Sequence, residues 1–442
     1  MPSELLAVHI GGTGLRVGQR YWESVSQDHA ENINSSFGPS SVTAKETSSV
    51  LFQETKSGQI RPRAVFCDLH DPQSHVRIPG SIAGLSVADE NVILSCESSG
   101  NCYAQVFHTD GPPVAQKVID QVRRELEKCE SVQGMQFVNS ACGGTGSGLS
   151  GLILKGLSDY MGSKCVFHSA TLVPSPSFTN IVLETYNTIL ALQDMTELTH
   201  MTSLFDLDAC SHDTIPNILS AFSWSSRFPG PLHSDLRKMH MNLVPFKNCH
   251  FLVSSLITDN HLGAMDLAWK GLNPINNCLS VSRGSRYLST MLAYRSSLIG
   301  PSEVDDVTVS LQKNGSDMDP YYPDWIPNSV SASISAGPSR SLLTVFNSTS
   351  MHEFLDRTIE NFKKQFKAKS YLYVFAENGL HTEELWEAMN LVQYVSDQYK
   401  EYARYPDKLV TTDRSGTRRM IDESGPMPLD SEQRLIANEL LL

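Results

Sequence analysis

The sequence lacks the features that mark several protein classes. Its nine cysteines are an odd number and form no CxxC pair, which argues against a disulfide scaffold and against a clustered zinc site. No apolar run approaches the length of a membrane span, and the N-terminus has no basic segment of a signal peptide. Lys and Arg number 35 against 48 Asp and Glu, and this net charge of −13 argues against a nucleic-acid partner. We therefore expect a cytoplasmic protein without a membrane or nucleic-acid partner.

What the sequence does contain is an alternation of apolar strands and amphipathic helices in its first half. Strands are predicted at residues 6–10, 64–67, 136–140 and 166–173, and helices at residues 15–25, 113–129 and 149–161. This alternation is typical of an α/β fold with a parallel, doubly wound sheet. Ligands of such sheets bind at the carboxyl ends of the strands, so the loops there are the candidate site.

The remainder of the chain has a different character. Residues 30–60 are polar and are predicted to form a surface loop, and residues 227–346 are predicted to form a second, smaller domain. Two helices follow, one with Phe354, Ile359 and Phe362 on its apolar face and one that starts at Thr382. After residue 405 the chain becomes polar, and we expect a flexible tail.

The run from Cys142 to Gly148 contains four glycines in seven residues. It follows an apolar strand pattern and precedes a helical one, an arrangement that presents backbone N–H groups and a positive helix end to an anion. The ligand this predicts is a di- or triphosphate. No Lys-Ser or Lys-Thr follows the last glycine, and the spacing is wrong for a dinucleotide fingerprint. Taken alone, the run leaves a flexible Gly/Ser connector as the alternative.

This glycine run closely resembles the signature of the tubulin family, with Cys142 in place of the first glycine. Further resemblances, to the β chain in particular, cover about residues 1–405 in unbroken order. They are Trp22-Glu23, residues 63–69, Pro174-Ser175-Pro176, residues 184–187, residues 227–230, 235–238 and 242–246, residues 286–288, residues 325–328 and residues 347–349.

The resemblance implies the tubulin fold, with a Rossmann-like parallel-sheet GTPase domain. The implied divisions are a nucleotide-binding domain (residues 1–210), a shortened central helix (211–228), a mixed α/β intermediate domain (229–350), a C-terminal helical region (351–405) and a flexible tail (406–442). The implied function is that of a β-tubulin-like structural constituent of microtubules in the cytoplasmic cytoskeleton. Its partners are an α-tubulin-like subunit and the tubulin polymer.

The resemblance also implies GTP or GDP as ligand, with Mg²⁺. The nucleotide contacts that it assigns are Gly11, Asn101, Ser140, Gly143, Gly144, Thr145, Gly146, Ser147 and Glu184. Residues 143–147 are expected to cradle the phosphates through backbone N–H groups and the Thr145 hydroxyl. Asn101 matches the loop that senses the terminal phosphate, and Glu184 matches the carboxylate that accepts hydrogen bonds from the ribose. Asp68 is the candidate Mg²⁺ ligand, acting through water.

Several positions depart from the family pattern. Gly12 and Arg16 replace glutamines near the phosphates and the base, and His70 replaces an acidic residue beside magnesium, so we expect a weakened metal site. Leu207 replaces the asparagine that reads guanine. Residues 208–227 are more than a dozen residues shorter than in the family and lack its stacking tyrosine. We expect phosphate binding to survive these changes better than guanine selection.

The subunit interface implied by the resemblance involves Asp235, Lys238 and Asn242. Lys238 lies where an α chain carries the acidic residue that triggers hydrolysis on its neighbour, and a protonated lysine cannot act as that base. We therefore predict no catalytic residue in this chain and no autonomous hydrolysis. Residues 258–271, the lateral-contact loop, are also short. The alternative function is that of a non-polymerising relative with a degenerate nucleotide site that binds tubulin or its folding machinery.

Overall fold

The structure is a computed structural model. It describes residues 4–34, 48–55, 59–69, 81–82, 84–95, 100–162, 165–175, 181–211, 213–282, 286–312, 322–323, 325–404, 410–412 and 418–420, without the side chains of residues 31–34, 81 and those beyond 404. The chain divides into two compact units, Met1–Ala403 and Arg404–Leu442.

The first unit contains fourteen strands among its described residues. They are β1 (Glu4–Ile10), β2 (Phe52–Glu54), β3 (Ile60–Pro62), β4 (Ala64–Asp68), β5 (Ser81–Ile82), β6 (Leu85–Ser86), β7 (Val92–Leu94), β8 (Val132–Ser140), β9 (Val166–Val173), β10 (Met201–Asp206), β11 (Phe251–Thr258), β12 (Tyr287–Arg295), β13 (Val330–Ser335) and β14 (Ser341–Ser348). Ten of them form one sheet in the order β13-β12-β14-β11-β10-β9-β8-β1-β4-β7. The pairs from β11 to β7 are parallel, and β14 runs antiparallel to both its neighbours. The predicted α/β class with a parallel sheet is confirmed.

Twelve helices accompany these strands in the described part of the chain. They are α1 (Gly11–Asn34), α2 (Gly111–Glu127), α3 (Ser150–Met161), α4 (Glu184–Leu198), α5 (Thr214–Ala221), α6 (Trp224–Arg227), α7 (Leu236–Leu243), α8 (Ala264–Gly271), α9 (Pro301–Gln312), α10 (Met351–Lys367), α11 (Leu372–Glu377) and α12 (Thr382–Arg404). The helical segments Tyr103–Gln105 and Val106–Asp110 lead into α2, and the wide turn Thr145–Leu149 leads into α3. Short 3₁₀ turns lie at Asp89–Asn91 and Pro274–Asn276.

The sheet is buried on both faces, which explains its uninterrupted apolar strands. Alternate residues of β1 enter different cores: Leu6 and Val8 pack in a cluster that also contains residues of α2 and α3, whereas Leu5 and Ala7 pack in one that contains residues of α1, α5 and α7. Every residue of β1 is buried. This two-sided packing fixes the carboxyl ends of the strands, where the loops of the candidate site begin.

The predicted strands and helices of the first half are confirmed, and β9 has the predicted bounds. The predicted surface loop at residues 30–60 is wrong in its described parts. The helix α1 continues to Asn34, Val50, Leu51 and Phe52 are buried, and Phe52 begins the strand β2, which pairs with β3. The burial of these three apolar residues was not predicted because the residues around them in the sequence are polar. Residues 35–47 of the predicted loop lie outside the described residues.

The segment predicted to be a shortened central helix forms α5, eight residues long, followed by the single turn α6. It packs against α1, where Ser24 donates a hydrogen bond of 2.9 Å to Asn217. The sheet runs on from β10 to β11 past this segment, and the division of the chain into domains stays a prediction.

In the second unit, Val410–Thr412 (β15) and Arg418–Met420 (β16) form an antiparallel pair. Among the helices described in either unit, none has both the length and the apolar character needed to cross a membrane.

Candidate nucleotide-binding site

Five adjacent strands of the sheet end at the same edge, and the candidate site residues follow them. Gly11 follows β1, Asp68 ends β4, Ser140 ends β8 and Asp206 ends β10. Glu184 begins α4 in the connection from β9 to β10. Because parallel strands present their carboxyl ends at one edge, the sequence-predicted residues lie on loops of the same cluster.

The glycine loop presents donors that the protein does not use. The backbone N–H groups of Gly143, Gly144 and Thr145 donate to no acceptor among the described residues. The Ser147 N–H is different, because it donates to the Gly143 carbonyl at 3.1 Å. The Ser147 hydroxyl also donates to that carbonyl, at 2.7 Å. Ser147 thus braces the loop, and three free N–H groups remain at the start of a helix, as an anion site requires.

The glycines of this loop are required for two different reasons. A Cβ on Gly146 would lie 2.4 Å from the Ser140 carbonyl oxygen, and one on Gly144 would lie 2.6 Å from the Cys102 nitrogen. Gly11, at φ +74°, brings α1 against the loop, with its Cβ position 3.3 Å from the Gly146 nitrogen. A Cβ on Gly143 would meet only Ile181, at 4.0 Å. The loop is therefore packed on one side and open at Gly143.

Asn187 on α4 holds two loops of the site together, a role that the sequence did not reveal. Its side-chain nitrogen donates to the carbonyls of Asn101 at 2.8 Å and Cys142 at 3.0 Å. Its side-chain oxygen accepts the Tyr103 N–H at 3.0 Å. Asn101 has a left-handed backbone, φ 53°, and this bonding stabilises it. In the sequence, the one signal that could have identified this residue is an asparagine within an apolar helix. The structure shows that this asparagine is fully buried.

Glu184 and Cys142 interact in the centre of the site. Glu184 is buried, burial raises the pKa of its carboxyl, and its Oε2 atom has no hydrogen-bond partner. Burial also raises the pKa of the Cys142 thiol well above its usual range, and the nearby charge of Glu184 raises it further. The thiol stays protonated and donates to the Leu172 carbonyl oxygen at 4.0 Å. Cys142 thus lies near the carboxylate that the sequence assigned to the ribose.

The end of β10 carries a buried carboxylate and an exposed leucine. Asp206 is fully buried, its Oδ1 atom accepts the Asp208 N–H at 3.0 Å, and its Oδ2 atom has no partner. Asp206 is not among the site residues predicted from the sequence. Leu207 beside it is 37% exposed. The position at which the family reads guanine therefore presents a hydrocarbon side chain to solvent and offers no hydrogen bond.

Asp68 lies beside the start of α1. A Cβ on Gly12 would lie 3.7 Å from the Asp68 Oδ2 atom, and Oδ1 accepts the Leu69 N–H at 2.8 Å. No group of three metal-ligating side chains occurs in the described part of the chain. One carboxylate beside the start of α1, which packs against the glycine loop at Gly11, fits Mg²⁺, because this ion keeps several waters and takes its other ligands from phosphate oxygens. His70 lies outside the described residues.

The predicted interface residues occupy one surface of α7. Lys238, Met241 and Asn242 are exposed and share a face, while Leu236 and Met239 are buried on the other. Met241 is 70% exposed. Asp235 caps the helix, since its Oδ1 atom accepts the Lys238 N–H at 2.7 Å. The described structure thus positions every predicted site residue, and their contacts with ligand or partner stay predictions.

Comparison with known proteins agrees with this geometry. Residues 4–212 match the Tubulin/FtsZ family, GTPase domain. The chain is 29% identical to the tubulin beta chain of Candida albicans over 90% of this chain and 94% of that one. It is 28% identical to the tubulin beta chain of Saccharomyces cerevisiae over 96% of both chains. It is 27% identical to the tubulin beta chain of Enteroctopus dofleini over 90% of this chain and 95% of that one. The chain is a divergent member of the tubulin family.

Proposed function

We propose that this tubulin-family chain, whose role is cytoskeletal, binds a guanine nucleotide at the glycine loop and pairs end to end with an α-tubulin-like subunit. The observation that carries the proposal is a set of three N–H groups, at Gly143, Gly144 and Thr145, that donate to no acceptor among the described residues. They lie at a helix start, in a loop that is packed at Gly144 and Gly146 and open at Gly143. Such an arrangement binds phosphate oxygens without moving the backbone.

The shortened segment between β10 and α7 supports a polymer-competent geometry. In spite of its length, it connects α1 to β12, because Arg227 and Arg295 both pair with Asp28 on α1. Arg227 is fully buried and also bonds Ser220 and Ser223. These contacts therefore join α1 and β12 through the short segment, at the place where the resemblance implies a longer helix.

Asp68 is the residue that would hold Mg²⁺, through water. The ion would neutralise phosphate charge, while the N–H groups of the loop orient the phosphates. Asp68 is the one carboxylate assigned to this site, and the weakening of the Mg²⁺ site stays a prediction.

The exposed face of α7 supports the pairing with a neighbour. Met241 lies between Lys238 and Asn242 and exposes an apolar side chain of the kind that forms the centre of an interface. The Lys238 ammonium donates to the His233 carbonyl at 3.2 Å and presents a positive charge there. A lysine at this place stabilises phosphate charge and does not remove a proton from water. Hydrolysis on a neighbouring subunit is therefore not expected.

The second candidate is a non-polymerising relative that binds tubulin or its folding machinery. Two observations favour it: the Cys142 thiol lies near Glu184, and the Leu207 side chain offers no hydrogen bond to a base. Both features reduce nucleotide recognition and leave the fold intact.

A co-sedimentation assay with purified α/β-tubulin, in GTP and in GDP, separates the two. We expect the parent chain to enter the polymer pellet more in GTP than in GDP, and Gly143→Val to lose that difference. Gly300→Val is the control, because a Cβ on Gly300 meets nothing within 4 Å. Equal pelleting of parent and Gly143→Val in both nucleotides contradicts the proposal and favours the second candidate.

A further inference from the structure

A pocket of about 360 Å³ opens between the connection that follows β9 and the helix α10. Ser175 and Glu184 line one wall, and Arg357, Lys364 and Gln365 line the other. Its volume lies at the lower end of the range for small-molecule sites. Only Glu184 belongs to the nucleotide site described above, and the α10 wall has no part in the proposed function.

Four polar atoms of this pocket are buried and have no hydrogen-bond partner. They are the Ser175 Oγ, the Glu184 Oε2, the Arg357 Nη2 and the Gln365 Oε1 atoms. Buried polar atoms nearly always have partners, because leaving one unpaired destabilises the fold. Arg357 and Glu184 have opposite charges and line the same pocket, yet the Arg357 Nη2 and Glu184 Oε2 atoms do not bond one another. All four atoms belong to side chains that line the pocket.

The chemistry of the walls limits what fits there. Arg357 and Lys364 offer positive donors to an anionic group, and the guanidinium suits the oxygens of a phosphate. The Glu184 and Gln365 oxygens accept hydrogen bonds and need hydroxyl donors. A bare anion would leave these acceptors unpaired, and a neutral sugar would leave Arg357 unpaired. We propose that the pocket binds a phosphorylated sugar, with its phosphate at Arg357 and Lys364 and its hydroxyls at Glu184 and Gln365.

Two sources can supply this ligand chemistry. One is a free sugar phosphate that enters the pocket by itself. The other is a nucleotide whose ribose carries a phosphate on its 2′ or 3′ hydroxyl. Glu184 lines the pocket and lies near Cys142 of the glycine loop, so a nucleotide bound as proposed above would place its ribose at the entrance of the pocket.

Isothermal titration distinguishes the sources with three probes: ribose 5-phosphate, GTP, and GTP that carries a 3′-phosphate. The variants are Arg357→Gln and Lys364→Gln, with Arg357→Lys as the conservative replacement. Lys363→Gln is the matched control, because the Lys363 ammonium donates to Gln393 on α12 at 3.1 Å. Gly143→Val blocks the glycine loop and leaves the α10 wall unchanged.

For a free sugar phosphate, ribose 5-phosphate binds the parent and Gly143→Val equally, and Arg357→Gln weakens it about tenfold or more, as expected for a lost charged hydrogen bond. For a nucleotide, 3′-phosphorylated GTP binds the parent about tenfold more tightly than GTP, and Arg357→Gln removes that preference while GTP binding is kept. Arg357→Lys retains part of the effect in each case.

The proposal is overturned if no probe depends on Arg357, or if Lys363→Gln weakens binding as much as Lys364→Gln. Failure of the proposed nucleotide function has a different signature, since GTP would then bind the parent and Gly143→Val alike or bind neither. Ribose 5-phosphate binding is measured independently of that result.

Discussion

The carboxylate of Asp28 on α1 lies 3.2 Å from the guanidinium of Arg227, which is fully buried at the end of the short segment after β10. The same carboxylate pairs with Arg295 on β12 and accepts the Ser220 hydroxyl at 2.6 Å. One acidic side chain therefore neutralises two guanidinium charges and bonds to three elements, α5, α6 and β12, that are distant from α1 in the sequence. These bonds explain how α5 and α6, although they are short, connect α1 to β12.

The first prediction is that Asp28→Asn destabilises the fold. The substitution leaves two buried guanidinium groups without a counter-charge, and breaking a buried pair in this way costs about 3–5 kcal/mol. Urea denaturation followed by circular dichroism measures the free energy of unfolding. Asp305→Asn, on the exposed face of α9, is the matched control and should change it little. A loss of stability as small as the control's would show that Asp28 does not join these elements.

The second prediction concerns the pH dependence of that stability. Burial raises the pKa of Asp28, but Arg227 and Arg295 outweigh burial and lower it from 3.8 to about 2. The folded-state pKa lies below the unfolded one, so the stabilisation is present above about pH 4 and is lost as the pH falls towards 2. The difference in unfolding free energy between parent and Asp28→Asn should shrink across that window. A constant difference down to pH 2 would contradict the assignment.

The third prediction separates the two kinds of glycine in the loop. Gly146→Val should impair folding as well as nucleotide binding, because its Cβ lies 2.4 Å from the Ser140 carbonyl oxygen. Gly143→Val should fold normally and lose nucleotide, because its side chain enters the open space above the N–H groups. Thermal unfolding measures the first effect and fluorescent-nucleotide titration the second. Nucleotide binding by Gly143→Val at parental affinity would mean that the phosphates lie elsewhere.

The fourth prediction is weak discrimination between GTP and ATP. Leu207 cannot hydrogen-bond a base, whereas an amide with two bonds to a base contributes about 1–3 kcal/mol of discrimination. Leu207→Asn should therefore raise the preference for GTP about tenfold, measured by competition binding. Leu298→Asn is the control, since Leu298 is an exposed leucine outside the site. A strong guanine preference in the parent would show that other residues have rebuilt the base pocket.

The sequence predicted those parts of the fold that depend on local pattern. The bounds of β9 and the start of α12 at Thr382 follow directly from apolar periodicity and helix capping. The burial of Leu51 was missed because a short apolar run among Ser and Thr has no detectable period. The role of Asn187 was missed because its bonds reach Asn101, 86 residues away, and only the folded chain brings them together.

Within the candidate site, the glycine run identified the phosphate loop because glycine spacing is a local signal. The sequence could not show that Gly143 is open while Gly146 is packed, since this depends on where Ser140 lies in space. It also could not show that the Cys142 thiol lies near Glu184, 42 positions later in the chain. Both are consequences of neighbouring parallel strands that end at one edge.

The central claim, end-to-end pairing with an α-tubulin-like subunit through α7, is tested most directly by co-expression with α-tubulin and size-exclusion chromatography in GTP. We predict a heterodimer of one copy each for the parent, loss of that species in Met241→Glu, and its retention in the control Ile275→Glu, which alters an exposed residue outside α7. With residues 258–271 short, electron microscopy should show pairs or short filaments more readily than closed tubes. Separate elution of the parent and α-tubulin, or a heterodimer unaffected by Met241→Glu, would contradict the account.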